Sequence, residues 1–568
     1  MICERAERNG ARIVLDELHE LGVEVVFGYP GGAIMPLHDA FFGHSVRHVL
    51  VRHEAAAAFA AGGYARATGR VGVCVATSGP GATNLITGIV DAMTDSVPLV
   101  AITGQVRTDL MGTDAFQEAD IAGMATAITR RVFVVRELAQ LAPILRSAFA
   151  IAGGARPGPV LVDVPSDILK AIETPEGAQR ARAPRPHRAR RVPKADPSAI
   201  AAAVERIRQA KNPVAIVGGG ARTSNAVASY REFCALLGLP HAATINGLGA
   251  PAPGDETFLG MLGMHGWKAA NLAVARADVV LGLGMRFDDR VTGPPEKFAT
   301  QASIVHADID ASEFNKIVPA DIALHGDLDE TLTELTRALR AAGVPRFDAW
   351  ASEARGLGSS LPRDRARAGR LSATDVLDAL FEMAPPDSVF TTDVGQHQMW
   401  AAQRVRPSHP RNFLTSASLG AMGFGFPAAI GACFARPGTP VFAIVGDGGF
   451  QMSMAELATV RRYEVPVKIV LIDNRNLGMV RQWQELFYDA RYSATNLSDN
   501  PEFATIASAY EIAAEVLDDP AHTARVLRRF IDTRGPMLLH CRCYPDENVW
   551  PMVPAGAAMD TMMEEARS

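Results

Sequence analysis

Displaced by 368 positions without a gap (428 − 60 = 368), residues 60–98, AAGGYARATGRVGVCVATSGPGATNLITGIVDAMTDSVP, lie over residues 428–466, AAIGACFARPGTPVFAIVGDGGFQMSMAELATVRRYEVP. Ala60/Ala428, Ala61/Ala429, Gly63/Gly431, Val73/Val441, Gly81/Gly449, Val97/Val465 and Pro98/Pro466 coincide. The phase says more than the identities. Strand, glycine turn, helix and Val-Pro strand entry recur in step, as a duplicated supersecondary unit requires. The chain is therefore expected to be α/β, with two versions of one doubly wound parallel sheet.

Between the copies, PVAIVGGG, LPHAAT, ADVVLGLGM and SIVHADID read as strands alternating with helical patterns, which makes a third α/β domain. Two stretches, EGAQRARAPRPHRARRVPKADP (176–197) and VPRFDAWASEARGLGSSLPRDRARAGR (344–370), are rich in Arg, Pro, Gly or Ser, lack apolar periodicity and read as linkers. The expected domains are 1–175, 192–342 and 371–550, with 551–568 as a C-terminal tail. A length of 568 residues, 48% of them hydrophobic, fits three domains of a soluble enzyme.

The net charge of −6 and the lack of a long basic run leave no nucleic-acid footprint, and the basic cluster of the first linker is isolated among prolines. MICERAERNGARIV puts charges where a signal peptide needs an apolar core, and no apolar run is long enough to span a bilayer. A cytoplasmic protein without a membrane partner is expected. Cys3, Cys74, Cys234, Cys433, Cys541 and Cys543 are scattered and form no CxxC pair, so they read as buried small apolar residues.

The copies differ at the glycine turn, Ser78-Gly79-Pro80-Gly81 in the first and Gly446-Asp447-Gly448-Gly449 in the second, so only the second carries a carboxylate. Twenty-seven positions later (474 − 447 = 27) another apolar run ends in Asp473-Asn474, with a helix-like pattern of Met452, Met454, Leu457 and Val460 between. Ligands of open parallel sheets bind at the strand ends, so Asp447 and Asn474 can converge. Together with a main-chain carbonyl near Asn476 they form an oxygen-rich set suited to magnesium, and the glycines let a diphosphate approach the backbone. Under the same offset Glu54 falls on Met422 (54 + 368 = 422), which suggests one ligand held between unlike halves. Glu54 itself reads in two ways: an acid favoured at a helix N-terminus, or a glutamate walled in by Ala55 to Ala58 and Phe59 that shares a proton with a heterocycle.

GDGGF followed by DNRNLGMVRQWQELFY resembles the thiamin diphosphate signature, and the whole chain resembles the large catalytic subunits of the acetolactate synthase (acetohydroxyacid synthase) family. The similarity runs in order from GVEVVFGYPGGAIMPLHDA through TSGPGATNLITGI, ITGQV, GTDAFQEAD, RPGPVLVDVP, LGMLGMHG, RFDDRVTG and DVGQHQMWAAQ to VWPMVP. It implies a pyrimidine-binding, a central FAD-type and a diphosphate-binding domain. The implied reaction decarboxylates pyruvate on thiamin diphosphate and joins the two-carbon unit to pyruvate or 2-ketobutyrate. Its products, 2-acetolactate or 2-aceto-2-hydroxybutyrate, open branched-chain amino acid biosynthesis. A homodimer or tetramer, often with a small regulatory subunit, is implied as well.

By that resemblance Glu54 holds the aminopyrimidine N1′, and Met422 props the cofactor's bend with the Gly420 carbonyl beside its 4′-amino group. Gly395, Gln396, His397, Gly446, Gly448, Gly449, Gly478 and Met479 surround the rest of the cofactor, and Asp447, Asn474 and Asn476 hold magnesium. Gly32 and Gln117 match positions near the reacting carbonyl. Arg290 matches the contact to the keto acid's carboxylate, and Trp483 the reader of the second substrate's alkyl group; from the residues alone Trp483 reads as core packing. FAD in a non-redox role is implied at Arg156, Gly218, Gly219, Met264, His265, Arg286, Asp308, Ile309 and Asp327. Read without the resemblance, VGGGARTSN is a poor dinucleotide fingerprint, because Thr223 stands at the last glycine position.

The chain departs from the family pattern at Ala55 and Ala56 (usually Gln-Gly), Ala417 and Ser418 (usually two glycines), Arg107 (often proline) and Gly449 (often serine). Competing readings are another thiamin diphosphate carboligase or acetyltransferase, including the flavin-free catabolic acetolactate synthase, and a catalytically silent paralogue. Glyoxylate carboligase lacks the glutamate that Glu54 provides. A nicotinamide oxidoreductase is opposed by the absence of GxGxxG after any strand.

Overall fold

The computed structural model describes residues 8–174, 192–223, 225–358, 360–362 and 369–565. Their strands build three six-stranded sheets in which every neighbouring pair is parallel. The first contains β1 (Val25–Gly28), β2 (Arg47–Leu50), β3 (Gly72–Ala76), β4 (Leu99–Gln105), β5 (Arg131–Val134) and β6 (Pro159–Pro165), in the order β2-β1-β3-β4-β6-β5. The third contains β13 (Val389–Thr392), β14 (Phe413–Leu414), β15 (Val441–Gly446), β16 (Val467–Asp473), β17 (Ala513–Leu517) and β18 (Met537–Arg542), in the order β14-β13-β15-β16-β18-β17. Counted from its own first strand, each runs 2-1-3-4-6-5. The duplicated sequence is thus a duplicated topology, and the offset is kept to the residue where β4 starts at Leu99 and β16 at Val467 (99 + 368 = 467).

The central sheet differs. Its strands β7 (Pro213–Val217), β8 (His241–Ala243), β9 (Phe258–Met261), β10 (Val279–Leu283), β11 (Ser303–Asp308) and β12 (Ile322–His325) lie in the order β12-β11-β10-β7-β8-β9. Read from the other edge this is 3-2-1-4-5-6, the order of dinucleotide-binding sheets. The four expected strands of this region are β7, β8, β10 and β11; β9 and β12 carried too little pattern to be read from sequence. Central strands such as β3, β4, β7, β10, β15 and β16 are buried along their whole length, as helices on both faces demand.

The outer sheets are joined by their own repeated helices. Glu54–Thr68 crosses Gly425–Ala435 so closely that a Cβ on Gly63 would lie 2.2 Å from the Ala428 carbonyl oxygen, and one on Gly431 would lie 1.9 Å from that of Ala60. Gly63 and Gly431 are mates under the offset, as are Ala60 and Ala428, so the contact is reciprocal across a pseudo-two-fold axis. Only hydrogen at both crossing points lets backbone meet backbone.

The segment 344–370, expected to be a linker, contains the helix Asp348–Gly356. Trp350 is buried there, and its indole N–H donates to the Pro213 carbonyl at 3.1 Å. One Trp and two alanines (Ala351, Ala354) bury its inner face, too few apolar side chains to register as a period. Of the other expected linker, residues 176–191 lie outside the described residues, and 192–196 lead without regular structure into the helix Pro197–Gln209. Cys74, Cys234, Cys433, Cys541 and Cys543 are buried free thiols, as expected, and Cys3 lies outside the described residues. No helix among the described residues is long and apolar enough to cross a membrane.

Replacing Gly63 or Gly431 by alanine tests the crossing. Helix propensity alone favours alanine by about 1 kcal/mol, whereas forcing a methyl into a closed contact costs about 1 to 3 kcal/mol. Both substitutions are expected to lower the thermal unfolding midpoint. Gly356→Ala, at a helix end with nothing within 4 Å of the added Cβ, should leave it unchanged or raised.

Candidate active site

In the third sheet β13 has β14 on one side and β15 on the other, so the direction of the chain reverses between β13 and β15 and the strand ends splay apart there. A cavity of about 1130 Å³ opens at this point and runs on to the central sheet. The segment after β13 brings Gly395, Gln396 and His397 to its wall; the loop after β14 brings Gly420 and Met422. The last residue of β15 and the start of the helix after it contribute Gly446 to Gly449, and the loop after β16 with the start of its following helix contributes Asn474, Asn476, Gly478 and Met479. The whole expected set around the diphosphate therefore lines one wall. The helix foreseen after Asp447 begins at Asp447 itself and is broken by the 3-10 turn Met454–Glu456; Leu457 and Val460 are buried, whereas Met452 is 65% exposed.

Asp447 is buried beside a second carboxylate. Burial first, and then the charge of Asp473, push its carboxyl up to about 8. Burial also opposes ionisation of Asp473, but its bond to His540 (Nε2 to Oδ2, 2.8 Å) outweighs this and lowers it. The Asn500 amide spans the pair, donating to Asp447 Oδ2 at 2.8 Å and to Asp473 Oδ1 at 3.1 Å. The second strand-end oxygen, on Asn474, is fixed because the Asn474 amide donates to Gln396 Oε1 at 3.1 Å and its Oδ1 accepts the Asn476 N–H at 3.2 Å.

This donor set fits a hard cation with a diphosphate. A carboxyl that protein surroundings hold back from ionising is relieved by a divalent cation. No cluster of three His, Cys, Asp or Glu side chains that could hold a metal occurs among the described residues. The candidate ligands are one carboxylate, one amide oxygen and a carbonyl, which leaves room in an octahedral shell for phosphate oxygens and water. His397 carries a buried Nε2 without a hydrogen-bond partner, and burial lowers its imidazole to about 4. A Cβ on Gly446 would lie 2.7 Å from that ring, and one on Gly448 would lie 2.7 Å from Leu477 and 3.5 Å from the Met422 methyl, so these glycines keep a cradle that side chains would fill.

The other end of the cavity lies at the reversal point of the central sheet. Gly218 and Gly219 follow β7, Met285 and Arg286 follow β10, and Asp308 and Ile309 close β11; all line it, as do Met264 and His265. Gly218 packs against backbone, 2.3 Å from a Cβ to the Gly284 carbonyl oxygen, whereas Gly219 is the more open glycine, its nearest neighbour Asn246 at 3.3 Å. Arg156 reaches in from the first domain, held by Asp310 at 2.7 Å and Glu313 at 2.6 Å. Burial pushes Asp308 up to about 6 and His265 down to about 4, and His265 Nδ1 is buried without a partner. These polar groups fit a large polar ligand such as FAD. Asp327 does not line this cavity: its carboxylate caps the helix Leu328–Ala341 by accepting the N–H groups of Asp329 and Glu330.

Trp483 and Arg290 line the same cavity from opposite domains. Trp483 is half-buried, edge-on to Phe487 with ring centroids 5.6 Å apart, so it is not a core side chain; Arg290 is exposed, 3.8 Å from Asp289. Glu54, Gly32 and Gln117 do not line it. Glu54 opens the helix Glu54–Thr68 and accepts the Asn84 amide at 3.0 Å; Gln117, at φ 59°, packs on Gly79; no atom lies within 4 Å of a Cβ built on Gly32. These three belong to the first sheet's own strand ends. The groups that hold the carboxylate pair, Asn500 on both acids and His540 on Asp473, have no sequence signal because they lie far along the chain; only Asp473 stands next to a residue singled out by the sequence.

Comparison with known proteins agrees with this geometry. Residues 8–124 match the N-terminal TPP binding domain of the thiamine pyrophosphate enzymes, residues 200–335 their central domain, and residues 393–541 their C-terminal TPP binding domain. The acetolactate synthase isozyme 2 large subunit of Escherichia coli (strain K12) is 47% identical over 98% of this chain and 100% of its own length. The chloroplastic acetolactate synthase of Arabidopsis thaliana is 42% identical over 98% and 85%. The probable acetolactate synthase large subunit of Methanocaldococcus jannaschii is 41% identical over 98% and 95%. With the paired sheets, the strand-end oxygens and these matches, the chain belongs to the thiamine pyrophosphate enzyme family, among the acetolactate synthase large subunits.

Proposed function

We infer that this chain is an acetolactate synthase: it decarboxylates pyruvate and joins the two-carbon unit to a second 2-keto acid, the first common step towards valine, leucine and isoleucine. The observation that carries the reading is the meeting of Asp447, Asn474, Gln396 and His397 at one strand-end wall, in a cavity that also holds Trp483 and Arg290. When bound, thiamin diphosphate supplies the electron sink for breaking the carboxylate bond and forming the new carbon-carbon bond. Asp447, the Asn474 side chain and the Asn476 carbonyl would hold magnesium. His397, Gln396 and the backbone at Gly395, Gly446, Gly448, Gly449 and Gly478 would hold the diphosphate, with Met422 and Met479 as apolar walls and the Gly420 carbonyl accepting from the aminopyrimidine.

Glu54 would share a proton with the aminopyrimidine, and Gly32 and Gln117 would stand by the reacting carbonyl. Because these residues lie outside the Asp447 cavity, the complete site is assigned to two chains, each lending its first sheet to the other's third sheet. A homodimer or tetramer would meet this requirement, with a small regulatory subunit as a further partner. Arg290 would pair with the keto acid's carboxylate, and Trp483 would face its alkyl group. FAD would fill the central-sheet end of the cavity without a redox step, against Arg156, Gly219, Met264, His265, Arg286, Asp308 and Ile309. Purified protein should release thiamin diphosphate and FAD on denaturation and form acetolactate from pyruvate; a protein that binds both and forms none is the silent paralogue.

Asp447→Ala is expected to weaken cofactor binding rather than the chemistry, because a charged ligand of the cation is lost. Titration of thiamin diphosphate at several magnesium concentrations should give a higher Kd, partly restored by excess metal; an unchanged Kd would put the metal elsewhere.

Trp483 generates a second expectation. An apolar pocket that distinguishes one methylene gains about 1 to 3 kcal/mol, so 2-ketobutyrate should be preferred to pyruvate as acceptor by roughly ten- to two-hundred-fold. In competition assays Trp483→Leu should lose most of that preference and still make acetolactate. A retained ratio would leave Trp483 with packing alone.

A further inference from the structure

The third domain reaches across to the turn that presents Glu54. Glu456 Oε1 accepts the main-chain N–H of Arg52 at 2.8 Å and that of His53 at 3.2 Å, across more than 400 positions of sequence. Its other oxygen, Oε2, accepts the Thr459 hydroxyl. The same segment holds Leu50, the last residue of β2: its N–H donates to the Tyr463 hydroxyl at 2.8 Å, and its carbonyl lies 3.2 Å from the Thr459 hydroxyl oxygen. Val51 to His53 are the whole link between the strand and the helix that Glu54 opens.

Glu456 is 1% exposed, so its carboxylate is committed to these donors rather than to water. A buried carboxylate that accepts two consecutive N–H groups fixes two successive peptide planes relative to each other, and charge-assisted bonds of this kind are the strong ones. Glu456 also ends the segment that Asp447 begins (456 − 447 = 9). One continuous piece of chain carries the candidate metal ligand at one end and the clamp on the opposite half-site at the other.

We propose that Glu456 is a positioning residue for Glu54: its carboxylate clamps the main-chain N–H groups of Arg52 and His53 and so sets where the Glu54 carboxyl stands. The proposal rests on the reading of Glu54 as the group that meets the aminopyrimidine. A misplacement of about 1 Å at a reacting group can cost on the order of a hundredfold, so loss of the clamp should appear in proton transfer and leave the diphosphate end, which Glu456 does not touch, intact.

The test compares wild type, Glu456→Ala, Glu456→Gln and Glu54→Gln. In the cofactor-free protein, hydrogen exchange of the Arg52 and His53 amides should quicken in Glu456→Ala. With saturating magnesium and thiamin diphosphate, exchange of the cofactor's C2 proton should slow by about ten- to a hundredfold, with Kd for the cofactor unchanged. Glu456→Gln keeps an oxygen able to accept both N–H groups and should restore most of the rate. C2 exchange at the wild-type rate in Glu456→Ala overturns the proposal, and so does a Gln variant as slow as the Ala variant. Should Glu456→Ala not fold, Glu456→Asp, shorter by one methylene, takes its place: slowed C2 exchange is expected, and an unchanged rate overturns the proposal. Full-rate C2 exchange in Glu54→Gln would sink the reading of Glu54 itself, whereas slow exchange there with normal exchange in Glu456→Ala would sink the clamp alone.

Discussion

The helices Glu54–Thr68 and Gly425–Ala435 meet backbone to backbone at Gly63 and Gly431, and this contact fixes the two outer sheets as a pseudo-symmetric pair. Because both helices begin close to their candidate functional residues, Glu54 on one and Met422 just ahead of the other, the crossing also fixes the strand ends that carry chemistry. Those ends are not equivalent. The first sheet offers the Glu54 carboxyl; the third offers the candidate cation ligands Asp447 and Asn474 and the apolar side chain of Met422. A pair of identical halves could bind two copies of one fragment, whereas a diverged pair suits the two ends of one asymmetric cofactor.

Electrostatics at the third sheet follow from the same burial that makes the sheet stable. Asp447 sits at the end of a fully buried strand and beside Asp473, so its anion is disfavoured. Asp473 is held as the charged partner by His540, and Asn500 ties the two carboxylates in place.

The parts legible in sequence were those whose cause is local. Buried parallel strands carry continuous apolar runs, and a duplicated strand-turn-helix keeps its phase, so the sheets and the position of Asp447, Asn474 and Met422 could be read from patterns. The central sheet's strands β9 and β12 are short and half patterned, and the helix around Trp350 buries its face with two alanines and one large side chain; neither leaves a period to detect. Asp327, which the resemblance places with the flavin group, spends its carboxylate on capping a helix start. Asn500, His540 and Glu456 act through contacts made only after distant segments meet, and no spacing in the chain announces them.

The central claim is that one chain's Glu54 and another chain's Asp447 complete a single cofactor site. Co-expression of the Glu54→Gln and Asp447→Ala chains, each nearly inactive alone at limiting cofactor, tests it directly. Random pairing makes about half the dimers mixed, and each mixed dimer regains one intact site of its two, so about a quarter of the wild-type acetolactate-forming activity should return. If the mixture is no more active than the two variants assayed separately, the site is complete within one chain and the account is contradicted.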